Sequence, residues 1–149
     1  MEEKLAQLNK IIETILRQKA WAVSLGVGSF LTFEFGNQVP SEKKAHGEFH
    51  VWIQNCSWRI QQLGKVLACS EDERSRIIDS IKCLENLSLL KIELIHDGFD
   101  TVFTFDNGVI LYIFTIYSEE YENWMLYTPH AVYIIGPGNN IDIEVRSSS

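Results

Sequence analysis

His46 and His50 stand four residues apart, a spacing that on a helix presents two imidazoles to one metal ion. Here the pair straddles a loop-like stretch and a strand-like one, and no glutamate follows His46 in the metalloprotease pattern. The expectation is one exposed loop histidine, one histidine on the less buried side of a strand, and no metal or other cofactor. Cys56 would need a neighbouring imidazole and a third orienting group to act as a nucleophile, and nothing beside it in sequence supplies them. Cys56, Cys69 and Cys83 form no Cys-x-x-Cys pair, which argues against a disulfide scaffold, a zinc site or a redox motif. Ser24, Ser29 and Ser57 lack the glycines of a nucleophile elbow. Gly26-x-Gly28 lacks a third glycine and leads into a strand pattern, so no helix N-terminus is offered to a phosphate. Glu119-Glu120-x-Glu122 reads as a solvated connection rather than an acid/base pair in an apolar pocket. No catalytic residue is assigned, and the reading leans away from an enzyme.

Two surfaces for binding remain. Glu119, Glu120, Tyr121 and Glu122 combine carboxylates with an aromatic ring, the pairing of anchor and orienting charge that protein interfaces use. Alternatively, Trp52, Trp58 and Trp124 line a pocket on a sheet with His50 or Cys56 as its polar group, and a small ligand enters there. Charge favours the first. Through Ile92 the chain carries twelve Lys or Arg against eleven Asp or Glu; from Glu93 onward nine acidic residues face Arg146 alone. An acidic C-terminal region repels nucleic acid and anionic lipid and attracts a basic protein partner.

These side chains are positioned by short strands. Residues 89–117 hold three runs of β-branched and aromatic residues around Asp97-Gly98 and Asn107-Gly108, dipeptides that accept the positive φ of a two-residue hairpin loop. Counting from the turns pairs Asp106 with Val109, Phe105 with Ile110, Phe103 with Tyr112 and Thr101 with Phe114. The first turn pairs His96 with Phe99, Leu94 with Thr101, Ile92 with Phe103 and Leu90 with Phe105. Alternation then puts Leu90, Ile92, Leu94, Phe103, Phe105, Ile110, Tyr112 and Phe114 on one core-forming face. Residues 2–19 place Leu5, Leu8, Ile11, Ile12, Ile15 and Leu16 on one helical face. A second helix over 71–85 starts from the capping box Ser70-x-x-Glu73. Strands are also predicted in residues 21–35, 49–54, near 58–60 and 65–69, and in NWMLYT and AVYIIG, with 36–47 a flexible loop. The expected fold is α+β in one domain spanning 1–149: a mainly antiparallel curved sheet, a meander of tight hairpins, packed with two amphipathic helices. A tight β-barrel is the alternative, and a tail from about 145 to 149 is expected to be disordered.

The order of CSWRI, an acidic amphipathic helix, FDNGVILYIFT and ENWMLYTP resembles a group of small bacterial domains, some of which look like immunity proteins of polymorphic toxin systems. The resemblance covers about residues 21–136. It implies a protein that neutralises a partner, such as a basic toxin domain, by occlusion, and it brings no catalytic residue. The acidic start MEEKLAQLNK lacks a secretory n-region, and no apolar run approaches the ~18 residues of a membrane span. A cytoplasmic protein without membrane or nucleic-acid partners is expected. NWMLYT and AVYIIG hold little charge to protect a sheet edge, so a symmetric homodimer through the C-terminal β region is also expected.

Overall fold

Apolar residues alternate along Leu31, Phe33 and Phe35 and along Phe49, Val51 and Ile53, and all six are buried. The computed structural model describes residues 1–40, 46–95 and 97–147 and resolves them into two helices and eleven strands. These are α1 (Glu2–Ile15), β1 (Trp21–Leu25), β2 (Leu31–Val39), β3 (His46–Ile53), β4 (Cys56–Gln62), β5 (Lys65–Cys69) and α2 (Arg74–Ile81), which runs into a 3₁₀ turn at Lys82–Leu84. There follow β6 (Leu89–Ile95), β7 (Asp100–Phe105), β8 (Val109–Thr115), β9 (Trp124–Tyr127), β10 (Ala131–Ile135) and β11 (Ile141–Val145). The fold is α+β and antiparallel throughout its strand pairs.

The strands divide between two sheets instead of continuing as one curved sheet. One has the order β1-β2-β3-β9-β10-β11, the other β5-β4-β8-β7-β6. Aromatic edges interlock between them: Phe33 meets Phe103 at 5.9 Å and Phe105 at 6.2 Å, and Phe103 meets Trp124 at 5.1 Å. Such edge-to-face pairs add about 0.5–1.5 kcal/mol each beyond the area they bury. The helices close the two sides of the sandwich. α2 packs against β1 and β5, the edge strands on one side. α1 packs against β11, and the chain after it joins β6 through Arg17 N–H to Leu89 O and Leu89 N–H to Gln18 O. No helix among the described residues is long and apolar enough to cross a membrane.

The meander β6-β7-β8 forms as predicted, but its second hairpin is shifted by one residue. Thr104 faces Ile110, Phe103 faces Leu111 and Thr101 faces Ile113. Asn107 and Gly108 do take positive φ (59° and 71°) and Val109 N–H reaches Asp106 O, so the expected turn is present. Asp106 has left the β8 ladder: its N–H bonds to Ser88 O, and its carboxylate accepts the Ser88 N–H. Because strand period is two, the slip turns β8 over. Val109, Leu111 and Ile113 are buried, while Ile110, Tyr112 and Phe114 face outward. There Tyr112 and Phe114 stack at 6.1 Å under the Arg59 guanidinium. In the first hairpin Leu94–Thr101 and Ile92–Phe103 pair as predicted. A bulge makes Leu89, not Leu90, the partner of Phe105, so Leu89 is fully buried and Leu90 is 43% exposed. The pairing assigned to His96 lies outside the described residues.

Other boundaries are corrected as well. α1 ends at Ile15 because Leu16 is extended and Arg17 has φ 73°. The capping box does not form: the Ser70 hydroxyl instead accepts the Trp58 N–H, and α2 begins at Arg74 without a side-chain cap. β2 runs to Val39 and β3 starts at His46, so both ends of the expected loop are strand, and 41–45 lie outside the described residues. β11 was not foreseen. It makes β10 an internal strand, and β9 lies between β3 and β10, so neither of the segments on which the dimer expectation was built is a sheet edge; the edge strand carries Asp142 and Glu144. Past β11, the Arg146 N–H bonds to His130 O.

Candidate functional site

Residues 31, 33 and 35 of β2 point into the core, so Thr32 and Glu34 project from the outer face of the six-stranded sheet. Glu34 is nevertheless only 3% exposed. A carboxylate so buried needs partners for its oxygens, and β3 supplies them through the register. Glu34 lies opposite Trp21 of β1 on one side and His50 of β3 on the other. Oε2 is bonded to His50 Nδ1, and Oε1 accepts the Gly47 N–H at 3.1 Å and stands 3.6 Å from His46 Nδ1. Gly47 permits this approach. A Cβ there would collide with Phe35 O and lie within 3.1 Å of Glu34 Cβ and Trp21 Cζ2.

His46 and His50 therefore share a face, as residues i and i+4 do on a strand, and the expectation of a loop histidine for His46 is corrected: it opens β3. Their rings meet edge to face at 5.7 Å. Glu34, His46 and His50 each offer a ligand atom within 4.8 Å of the others, a set that could hold a metal. Two open hollows border the cluster. One, of about 690 Å³, is lined by His46, His50, Trp52, Tyr127, Pro129 and Arg146 among others; the second, of about 480 Å³, by Ser24, Thr32, Glu34, His46, His50 and Trp52 among others. The Tyr127 ring packs on His50 at 5.5 Å, and burial pushes its phenol up from the usual range, against the Arg146 charge that lowers it. The Trp52 indole N–H is buried with no acceptor among the described residues.

The five residues expected to line one pocket separate. His50 and Trp52 face these hollows. Trp58 and Trp124 are inside the sandwich, their indole N–H groups held by Ser29 O and Thr101 Oγ1. Cys56 is buried with Sγ donating to Asn123 O, and burial pushes its thiol up to about 12, so it holds its proton at neutral pH. Glu34, Tyr127 and Arg146 were not foreseen as site residues. Only the β2–β3 register shows that Glu34 meets His50, and that register closes across 41–45, where the sequence has no readable turn.

Glu119, Glu120, Tyr121 and Glu122 fall together on the loop from β8 to β9. The first three are exposed, and Glu122 is half-buried and bonded to Gln54 at 3.4 Å. Tyr121 is 53% exposed, has φ 67° and packs edge to face on Tyr117 at 4.9 Å. Ile116 is exposed in the same loop. No family model, no curated protein and no solved structure was found to match this chain.

Proposed function

We propose that this chain is a small-ligand-binding domain whose recognition site is the imidazole pair of His46 and His50 between the two outer hollows. The observation that carries this reading is the buried Glu34. A carboxylate on the outward side of a sheet is costly to bury, and its oxygens here orient two imidazoles beside open space. Tyr127 and Arg146 supply an aromatic wall and a cation to the same hollow. A set of small carboxylates, amines and aromatic heterocycles, screened by side-chain NMR, tests it. Binders should shift the imidazole signals of His46 and His50, and His50→Ala should remove those shifts. Shifts confined to residues 116–122, or none at all, would sink the reading.

A second reading is a non-enzymatic protein-binding module, in its most concrete form a cytoplasmic immunity protein that occludes a basic toxin domain. It is supported by the loop of residues 116–122. An exposed tyrosine in the left-handed region costs on the order of 1–2 kcal/mol, and Tyr121 repays little of that by burial. A photo-crosslinking residue at position 121, with position 112 on the outer face of β8 as control, separates the cases in a cell lysate. A discrete adduct at 121 that disappears with Glu119→Lys and Glu120→Lys supports the module; equal labelling at both positions opposes it.

A further inference from the structure

We infer that Glu34, His46 and His50 form a binding site for a divalent transition metal of the zinc class, a reading that rests on the cleft site proposed above and names its ligand. Two imidazoles and one carboxylate are donors that suit zinc and its first-row neighbours, whereas magnesium and calcium take oxygen ligands. Spacing agrees with the chemistry. Zinc bonds of about 2.0–2.2 Å in a tetrahedral arrangement place neighbouring donors roughly 3.3–3.5 Å apart. His46 Nδ1 and Glu34 Oε1 stand at 3.6 Å, and all three donors lie within 4.8 Å of one another. His50 Nδ1 and Glu34 Oε2 are closer than a metal would set them because they share a proton. A metal ion takes the place of that proton, the neutral ring then carrying its one proton on Nε2, and the half-buried imidazole turns outward to admit it.

The surroundings are those of a supported site. The Gly47 N–H holds Glu34 Oε1 from the backbone, the kind of outer contact that orients a ligand before the metal arrives. Glu48, the carboxylate that lines the larger hollow, is engaged by the Asn37 N–H at 2.7 Å. All three donors line the smaller hollow with Ser24 and Thr32, so a fourth coordination position opens there to water or an exchangeable ligand.

The test uses the full chain, freed of metal by a chelator and titrated with Zn²⁺ alone against a chromophoric competitor. Wild type should take one equivalent. His46→Ala, at a half-exposed rim position where the fold is not at risk, and His50→Ala should each weaken binding by roughly tenfold or more. His130→Ala, at an exposed position that lines neither hollow, should leave it unchanged, and Mg²⁺ should not compete. Absence of Zn²⁺ binding, or binding that neither His46→Ala nor His50→Ala weakens, overturns the metal assignment. If organic fragments still shift the His46 and His50 signals in that event, the cleft reading survives and the metal alone is withdrawn; if they do not, both fall.

Discussion

Glu34 and Glu120 are the same side chain, and this chain uses them in opposite ways. Glu34 sits on the outer face of a sheet at 3% exposure, its oxygens held by a backbone N–H and two imidazoles. Glu120 stands in solvent on the loop from β8 to β9 with no ion pair among the described residues. The first is a built position, in which β3 brings three groups to one carboxylate. The second keeps its charge free beside the exposed rings of Tyr117 and Tyr121. The difference is between a carboxylate whose partners are fixed by the fold and one whose field passes into solvent, where salt screens it. Sequence composition favours the loop, because it counts charges; the fold favours the cluster, because it shows which charge is expensive.

Mutation should expose that contrast as a gradient of stability. Glu34→Ala strands the Gly47 N–H and the half-buried His50 imidazole and should cost about 2–4 kcal/mol in denaturant unfolding. Next comes alkaline pH, which acts beneath the loop. The Cys56 thiol, bonded to Asn123 O, is raised from 9.0 to about 12 by burial. An unfolded thiol loses its proton above pH 9 while the folded one keeps it, so the unfolded state binds fewer protons and stability falls as pH rises. At pH 10.5 the loss should be about 2 kcal/mol, with Tyr127 adding in the same direction. Cys56→Ala should flatten the curve, and an equally steep curve in that variant would assign the effect elsewhere. Smaller again, and of opposite sign, is Tyr121→Gly, which relieves the left-handed strain and should raise stability by about 0.5–1 kcal/mol. The double change Glu119→Ala with Glu120→Ala should move the unfolding midpoint least, within about 0.5 kcal/mol. Were Glu34→Ala as mild as that pair, the contrast would collapse.

The legibility of the chain follows the range of its interactions. The hairpin turns, the alternation of β2 and β3 and the apolar stripe of α1 are local and could be read directly, since φ preference and side-chain period belong to neighbouring residues. The register of β8 could not, because it depends on Asp106 bonding to Ser88 eighteen residues away. The same holds for Ser70, whose capping box looked complete until Trp58 took its hydroxyl. Two sheets instead of one also escaped, since no short-range signal says which strand pairs with which after the meander. Of the candidate site, His50 and Trp52 could be named from sequence. Glu34 could not be joined to them, because strand alternation places it on an outward face, where a carboxylate is ordinarily solvated.

The most direct test of the account is the state of the His50 ring in the metal-free protein, read from the ¹⁵N shifts of its two nitrogens by long-range proton–nitrogen correlation. The geometry predicts a protonated Nδ1, slow to exchange with water because it is bonded to the buried Glu34 carboxylate, and loss of that protection in Glu34→Gln. A His50 ring that carries its proton only at Nε2, or that exchanges as freely as the exposed His130 ring, would contradict the site on which both the ligand and the metal assignments stand.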